Sequence, residues 1–129
     1  MLIYLDTAPV IYLVEESAPF NLRVAARLNQ SPDDRFIASD LTRLECRVKP
    51  LRQNDAPVLN LFDKFFASLS QIIELPTPVF DLATRIRADY GFKTPDSLHL
   101  AAAMHANCEI FYTNDHRLDR FSGLSIEVV

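Results

Sequence analysis

A chain of 129 residues, 49% hydrophobic and with only two glycines, can bury the core of one domain and is too apolar for a disordered or linker-rich segment. Its 13 basic and 17 acidic side chains give a formal charge of −4, which lacks the overall basic footprint of a nucleic-acid binder. Setting aside four carboxylates that a metal ion would neutralise leaves 13 acids against 13 bases, so charge alone does not exclude such a partner. Asp6 and Pro9 interrupt the first apolar stretch, no basic segment precedes it, and no later run approaches the ~18 apolar residues of a membrane span. Cys46 and Cys108 match neither a zinc spacing nor a disulfide framework. A reduced, cytoplasmic protein is the expectation.

The chain opens on Leu2-Ile3-Tyr4-Leu5, a run without polar alternation, which predicts a strand buried on both faces of a parallel sheet. Asp6 follows at its carboxyl end, the rim where open α/β sheets bind ligands. Thr7 is placed to cap a helix through Pro9 and Val10 to Leu13, because a proline is tolerated in the first turn. Phe20 to Leu28 predicts a second helix, broken by Ser31-Pro32-Asp33-Asp34. Phe36-Ile37-Ala38 is the second strand.

Ser39-Asp40 then caps a helix whose apolar stripe is Leu41, Leu44, Val48 and Leu51, and which Pro50 should kink or end. A helix from about Pro57 carries Phe62, Phe65 and Phe66, expected in the core. Ile72 to Leu75 is a third strand. Thr77-Pro78 opens a helix that closes at Gly91. Thr94-Pro95 opens another, with Ala101-Ala102-Ala103 allowing close approach to the sheet. Glu109 to Tyr112 and Ser125 to Val129 complete five strands. Strands alternate with helices, so the class is α/β: a three-layer sandwich, residues 1–129, around a mostly parallel sheet.

Four carboxylates stand where this topology can gather them. Asp6 and Asp115 follow predicted strands, Asp96 lies at the start of the alanine-rich helix, and Glu45 lies at the edge of an apolar stripe. Hard divalent cations take oxygen ligands, and like charges gathered without one raise each other's pKa. Each has a plainer reading by itself: Asp6 a helix start, Asp96 a carboxylate on a helix dipole, Asp115 a turn residue, Glu45 a surface side chain. Arg43 and Arg47 flank Glu45 and can meet phosphates or form a solvated face. His99, a turn beyond Asp96, reads first as a packing histidine and second as a site neighbour. His105 and His116 read as surface.

Leu5-Asp6-Thr7, Leu44-Glu45, Thr94-Pro95-Asp96-Ser97-Leu98-His99-Leu100-Ala101-Ala102-Ala103 and Thr113-Asn114-Asp115 occur in the order and spacing of PIN domains. Over its whole length the chain resembles the small VapC-type toxins of prokaryotic toxin–antitoxin pairs. The resemblance implies an acidic quartet, Asp6, Glu45, Asp96 and Asp115, binding Mg²⁺ or Mn²⁺, with Thr7 and Thr113 as supporting hydroxyls. It further implies endoribonuclease activity, a homodimer and a cognate antitoxin. Asp119 competes with Asp115 for the fourth position. A partner helix is expected on Val10, Ile11, Leu13 and the Phe62–Phe66 group.

The expected reaction is hydrolysis of RNA phosphodiesters by a metal-activated water, which requires no side-chain nucleophile. One alternative is a phosphatase or phosphoacceptor using Asp6. Against it, Ala8 stands where a second aspartate belongs in one such site, and Thr7 where paired acids belong in another. The other alternative is a catalytically silent binding module on the same fold.

Overall fold

The apolar run at the amino terminus becomes strand β1 (Leu2–Leu5), whose Ile3, Tyr4 and Leu5 are at most 1% exposed. The computed structural model, which describes residues 1–129, sets it in the middle of the sheet. With β2 (Arg35–Ser39), β3 (Gln71–Ile73), β4 (Ile110–Thr113) and β5 (Ser125–Val128), the order is β3-β2-β1-β4-β5. Every pairing is parallel, more uniform than the mostly parallel sheet expected. The short β4-to-β5 connection, residues 114–124 with one 3₁₀ turn at His116–Arg120, still returns the chain in the parallel sense.

Alternation along β1 sends Ile3 and Leu5 to one face and Tyr4 to the other. On the first face lie α1 (Thr7–Val14), α2 (Phe20–Leu28), α3 (Asp40–Arg52) and α4 (Ala56–Ser68), whose Val10, Val24, Cys46, Phe62 and Phe66 pack with Ile3, Leu5, Ala38 and Tyr112. On the second lie α5 (Thr77–Tyr90) and α6 (Thr94–His105), which bury Val79, Ala83, Ile86 and Leu100 to Ala103 against Tyr4, Ile37 and Phe111. The architecture is therefore the expected α/β/α sandwich. Gly91 closes α5 in the left-handed region at φ 74°, where a residue without Cβ is favoured. No helix is long and apolar enough to cross a membrane.

Several local expectations are corrected. Asp6, not Thr7, caps α1, and Lys93 rather than Thr94 is the N-cap of α6; each threonine is the first helical residue. Of the stripe expected on α3 only Leu41 packs against the core: Leu44, Val48 and Leu51 are 59%, 41% and 55% exposed, and the inward face is Thr42, Cys46 and Pro50. A capping box between Ser39 and Thr42 sets the rotation of this helix, and both hydroxyls are buried beside the Tyr4 hydroxyl. Burying polar groups that find partners inside outweighs apolar periodicity here. Pro50 does not stop α3 at once; the helix runs on to Arg52. Strand β3 begins and ends earlier than expected, and β4 is displaced towards Thr113. Val10, Phe62 and Phe66 are 1%, 1% and 4% exposed, so they belong to the interior rather than to the partner surface expected around them.

Candidate acidic site

Asp6 leaves β1 buried at 8% exposure, and both of its oxygens are engaged. Oδ1 accepts from the Thr7 N–H at 2.8 Å and Oδ2 from the Thr113 hydroxyl at 2.8 Å. Its own N–H donates to the Tyr112 carbonyl at 2.9 Å, so the ends of β1 and β4 are tied together. Thr113 Oγ1 also accepts from the Asp115 N–H at 3.1 Å. Thr7 Oγ1 reaches the other way and donates to Glu45 Oε1 at 2.7 Å. The two threonines thus link Asp6 to the elements carrying Glu45 and Asp115.

His99 lies closer to the carboxylates than a packing histidine requires. At 2% exposure it is the buried histidine expected, yet its Nε2 lies 2.6 Å from Glu45 Oε1 and 3.7 Å from Asp6 Oδ1. A carboxylate only accepts, so Nε2 carries the proton of that bond. Nδ1 lies 2.7 Å from the Tyr4 hydroxyl, which donates to Ser39 Oγ at 2.7 Å. If Tyr4 O–H is spent on Ser39, Nδ1 is a donor as well, which describes an imidazolium. Burial disfavours that cation, but the Glu45 hydrogen bond and the charges of Asp6, Glu45 and Asp96 raise the His99 pKa on balance. Burial likewise opposes ionised Glu45, and the bonds from His99 and Thr7 win, lowering its pKa. The signal in the chain was position: His99 is three residues after Asp96 on one helix.

Asp96, half-buried in the first turn of α6, has its pKa raised by burial and then by the charges of Asp6 and Asp115. Asp115 caps the 3₁₀ turn and takes a bidentate pair from Arg117, with Nε and Nη2 at 3.0 and 2.7 Å, which lowers its pKa. Asp96 and Asp115 line one cleft of about 180 Å³ with Lys93, Arg117 and Arg120. Asp119 is exposed and does not line it. Arg43 and Arg47 sit against acids instead, 4.0 Å from Asp40 and 3.4 Å from Asp63. His105 and His116 are exposed. A larger groove of about 550 Å³ between α5 and α6 contains no carboxylate.

The four acids therefore share one rim, although no three Asp, Glu, His or Cys side chains are placed to close around a single ion. Mg²⁺ requires no such cage, since it is usually held by one or two carboxylates and keeps several waters. The donors are all hard oxygens, and Asp96 holds its proton more tightly because it is half-buried and faces other acids. That chemistry fits a hard divalent cation. It does not suit thiol catalysis: Cys46 and Cys108 are buried, with pKa values pushed up by burial.

A family model for the PIN domain matches residues 3–124. No curated protein matches the sequence. Among solved structures, DNA-bound VapBC from Salmonella typhimurium superposes with a TM-score of 0.77, at 22% identity, over 99% of this chain and 98% of that one. A toxin–antitoxin complex from Klebsiella pneumoniae gives 0.78 at 19% identity, over 95% and 94%. VapC20 of Mycobacterium tuberculosis, a sarcin-ricin loop cleaving toxin, gives 0.70 at 10% identity, over 84% and 86%. At these identities the structural likeness is one of fold.

Proposed function

This chain belongs to the PIN-domain family, and on that premise we propose that it is a metal-dependent endoribonuclease, the VapC-type toxin of a toxin–antitoxin pair. The observation that carries the reading is the gathering of hard oxygen donors: Asp6 fixed by Thr7 and Thr113, Glu45 by Thr7 and His99, and Asp96 and Asp115 on one cleft, where burial and the repulsion of Asp6 and Asp115 raise the Asp96 pKa. A divalent cation relieves that repulsion, and Mg²⁺ or Mn²⁺ is the cofactor assigned. Asp6 and Asp96 would hold it, with Glu45 and Asp115 completing the acidic set. When bound, the ion supplies Lewis acidity towards water and the phosphoryl oxygens.

The chain's own groups prepare the site. Thr113 and the Thr7 N–H fix both oxygens of Asp6. Thr7 Oγ1 and His99 Nε2 converge on Glu45 Oε1, which leaves Oε2 available to a water or an ion. Arg43 and Arg47, on α3 beside Glu45, are assigned to RNA phosphates, for which they would exchange their pairings with Asp40 and Asp63. The partners proposed are RNA, a second copy of the chain in a homodimer, and an antitoxin, by analogy with the toxin–antitoxin complexes of similar fold. The assigned compartment is the cytoplasm.

The test is cleavage of cellular RNA by purified protein with Mg²⁺ or Mn²⁺, with EDTA, and with Asp96→Asn. Cleavage is expected only for the wild-type protein with metal. Undiminished cleavage in EDTA overturns the metal-dependent reading.

A further inference from the structure

The cleft that Asp96 and Asp115 share is also lined by Lys93, Arg117 and Arg120, beside Gly91 and Phe92. Arg117 is committed to Asp115. Lys93 and Arg120 take part in no ion pair, although the chain as a whole is acidic.

Arg120 is also held in place. Its guanidinium carbon lies 4.4 Å from the centroid of the Phe92 ring and 5.7 Å from that of Tyr90. Its Nη2 donates to the Tyr90 carbonyl. Tyr90 is anchored in turn, with its hydroxyl 2.8 Å from Ser122 Oγ. A guanidinium fixed this way loses little further freedom when an anion binds, and its remaining N–H groups suit phosphate oxygens. Lys93 is the N-cap of α6, and its ammonium has no acceptor with which to cap the backbone N–H groups of that first turn.

We propose that this cleft is a subsite for a backbone phosphate of single-stranded RNA, neighbouring the phosphate that is cut, with Lys93 and Arg120 as its ligands. The proposal rests on the ribonuclease reading above and names how its substrate is held. A volume of about 180 Å³ exceeds the ~30 Å³ of a water several-fold, enough for a phosphodiester group. A free anion would meet Asp96 at close range. A phosphate tethered in a chain whose next phosphate occupies the acidic site is brought there by the chain itself. Lys93 and Arg120 beside Asp96 therefore favour a polymer of phosphodiesters over small anions.

The experiment is binding of a fluorescent, mixed-sequence single-stranded oligoribonucleotide over a salt series. All proteins carry Asp6→Asn, so that binding is read without turnover. Lys93→Ala and Arg120→Gln should each weaken binding several-fold at low salt. Together they should reduce the slope of log affinity against log salt by about 0.7, the single-strand value for one neutralised phosphate. Arg120→Gln removes packing on Phe92; if it fails to fold, the exposed Lys93→Ala decides alone. A folded Lys93→Ala protein with the affinity and slope of its Asp6→Asn parent overturns the subsite. If the wild-type protein with Mg²⁺ or Mn²⁺ still cleaves RNA, the ribonuclease reading survives that result; if it neither binds nor cleaves RNA, both fall.

Discussion

Tyr4→Phe removes one oxygen atom, touches no carboxylate, and should still weaken metal binding. The Tyr4 hydroxyl is wholly buried and bonds to Ser39 Oγ and His99 Nδ1, both at 2.7 Å. Ser39 Oγ keeps a second contact, the Thr42 N–H at 3.4 Å. His99 Nδ1 has no other partner and is left unpaired in the interior, a cost of about 1–3 kcal/mol. With about 2.1 cal/mol/K per residue, 129 residues give an unfolding entropy of roughly 270 cal/mol/K, so the melting temperature should fall by about 4–11 °C. Freed at Nδ1, the imidazole no longer holds Glu45 in one orientation. Loss of an outer partner of this kind typically costs ~10–100-fold in metal affinity. Calorimetric titration of Mn²⁺ into the folded variant measures that directly, and circular dichroism measures the melting shift. A folded Tyr4→Phe protein with unchanged Mn²⁺ affinity would refute the reasoning that ties His99 to Glu45 through Tyr4.

Asp96→Asn should abolish Mg²⁺-dependent cleavage and leave the metal-free protein equal or higher in melting temperature, because a neutral isostere meets no repulsion from Asp6 and Asp115; metal at ~100 times its Kd, worth about 2.7 kcal/mol to a binding protein, should stabilise only the wild type, and retained cleavage in the variant sinks the acidic-set assignment. Without metal, stability should be greatest between the unfolded values of Glu45 and His99, 4.5 and 6.5. The lowered Glu45 value makes its contribution fade as pH falls below that window, and the raised His99 value makes its contribution fade as pH rises above it. Urea midpoints across pH check this, and His99→Gln should flatten the alkaline side. Arg47→Ala should weaken RNA binding and flatten its salt dependence, and an unchanged salt slope would return Arg47 to a structural pairing with Asp63. Gly91→Ala meets no atom within 4 Å but must hold φ 74°, so a loss of about 1 kcal/mol in denaturant unfolding is expected.

What the chain determines by itself is whatever a few neighbouring residues can decide. Leu2 to Leu5 have no polar alternation, so a doubly buried strand could be read from four residues. Pro78 and Pro95 in the first turns of α5 and α6, and Gly91 after α5, mark boundaries through backbone restrictions local to each position. From that alternation of elements the α/β/α sandwich follows, and with it the common rim of Asp6 and Asp115. The rotation of α3 was not local: it is set by Ser39 and Thr42 meeting the Tyr4 hydroxyl, 35 and 38 residues away, so the apolar stripe misled. The same holds for His99, whose partners Glu45 and Tyr4 are 54 and 95 residues distant. Apolar periodicity records how much burial a face could gain, and says nothing of which buried hydroxyl, imidazole and carboxylate will satisfy one another. Those choices, like the pairing of Arg120 with the Phe92 ring, are made only when the sheet and both helical layers close.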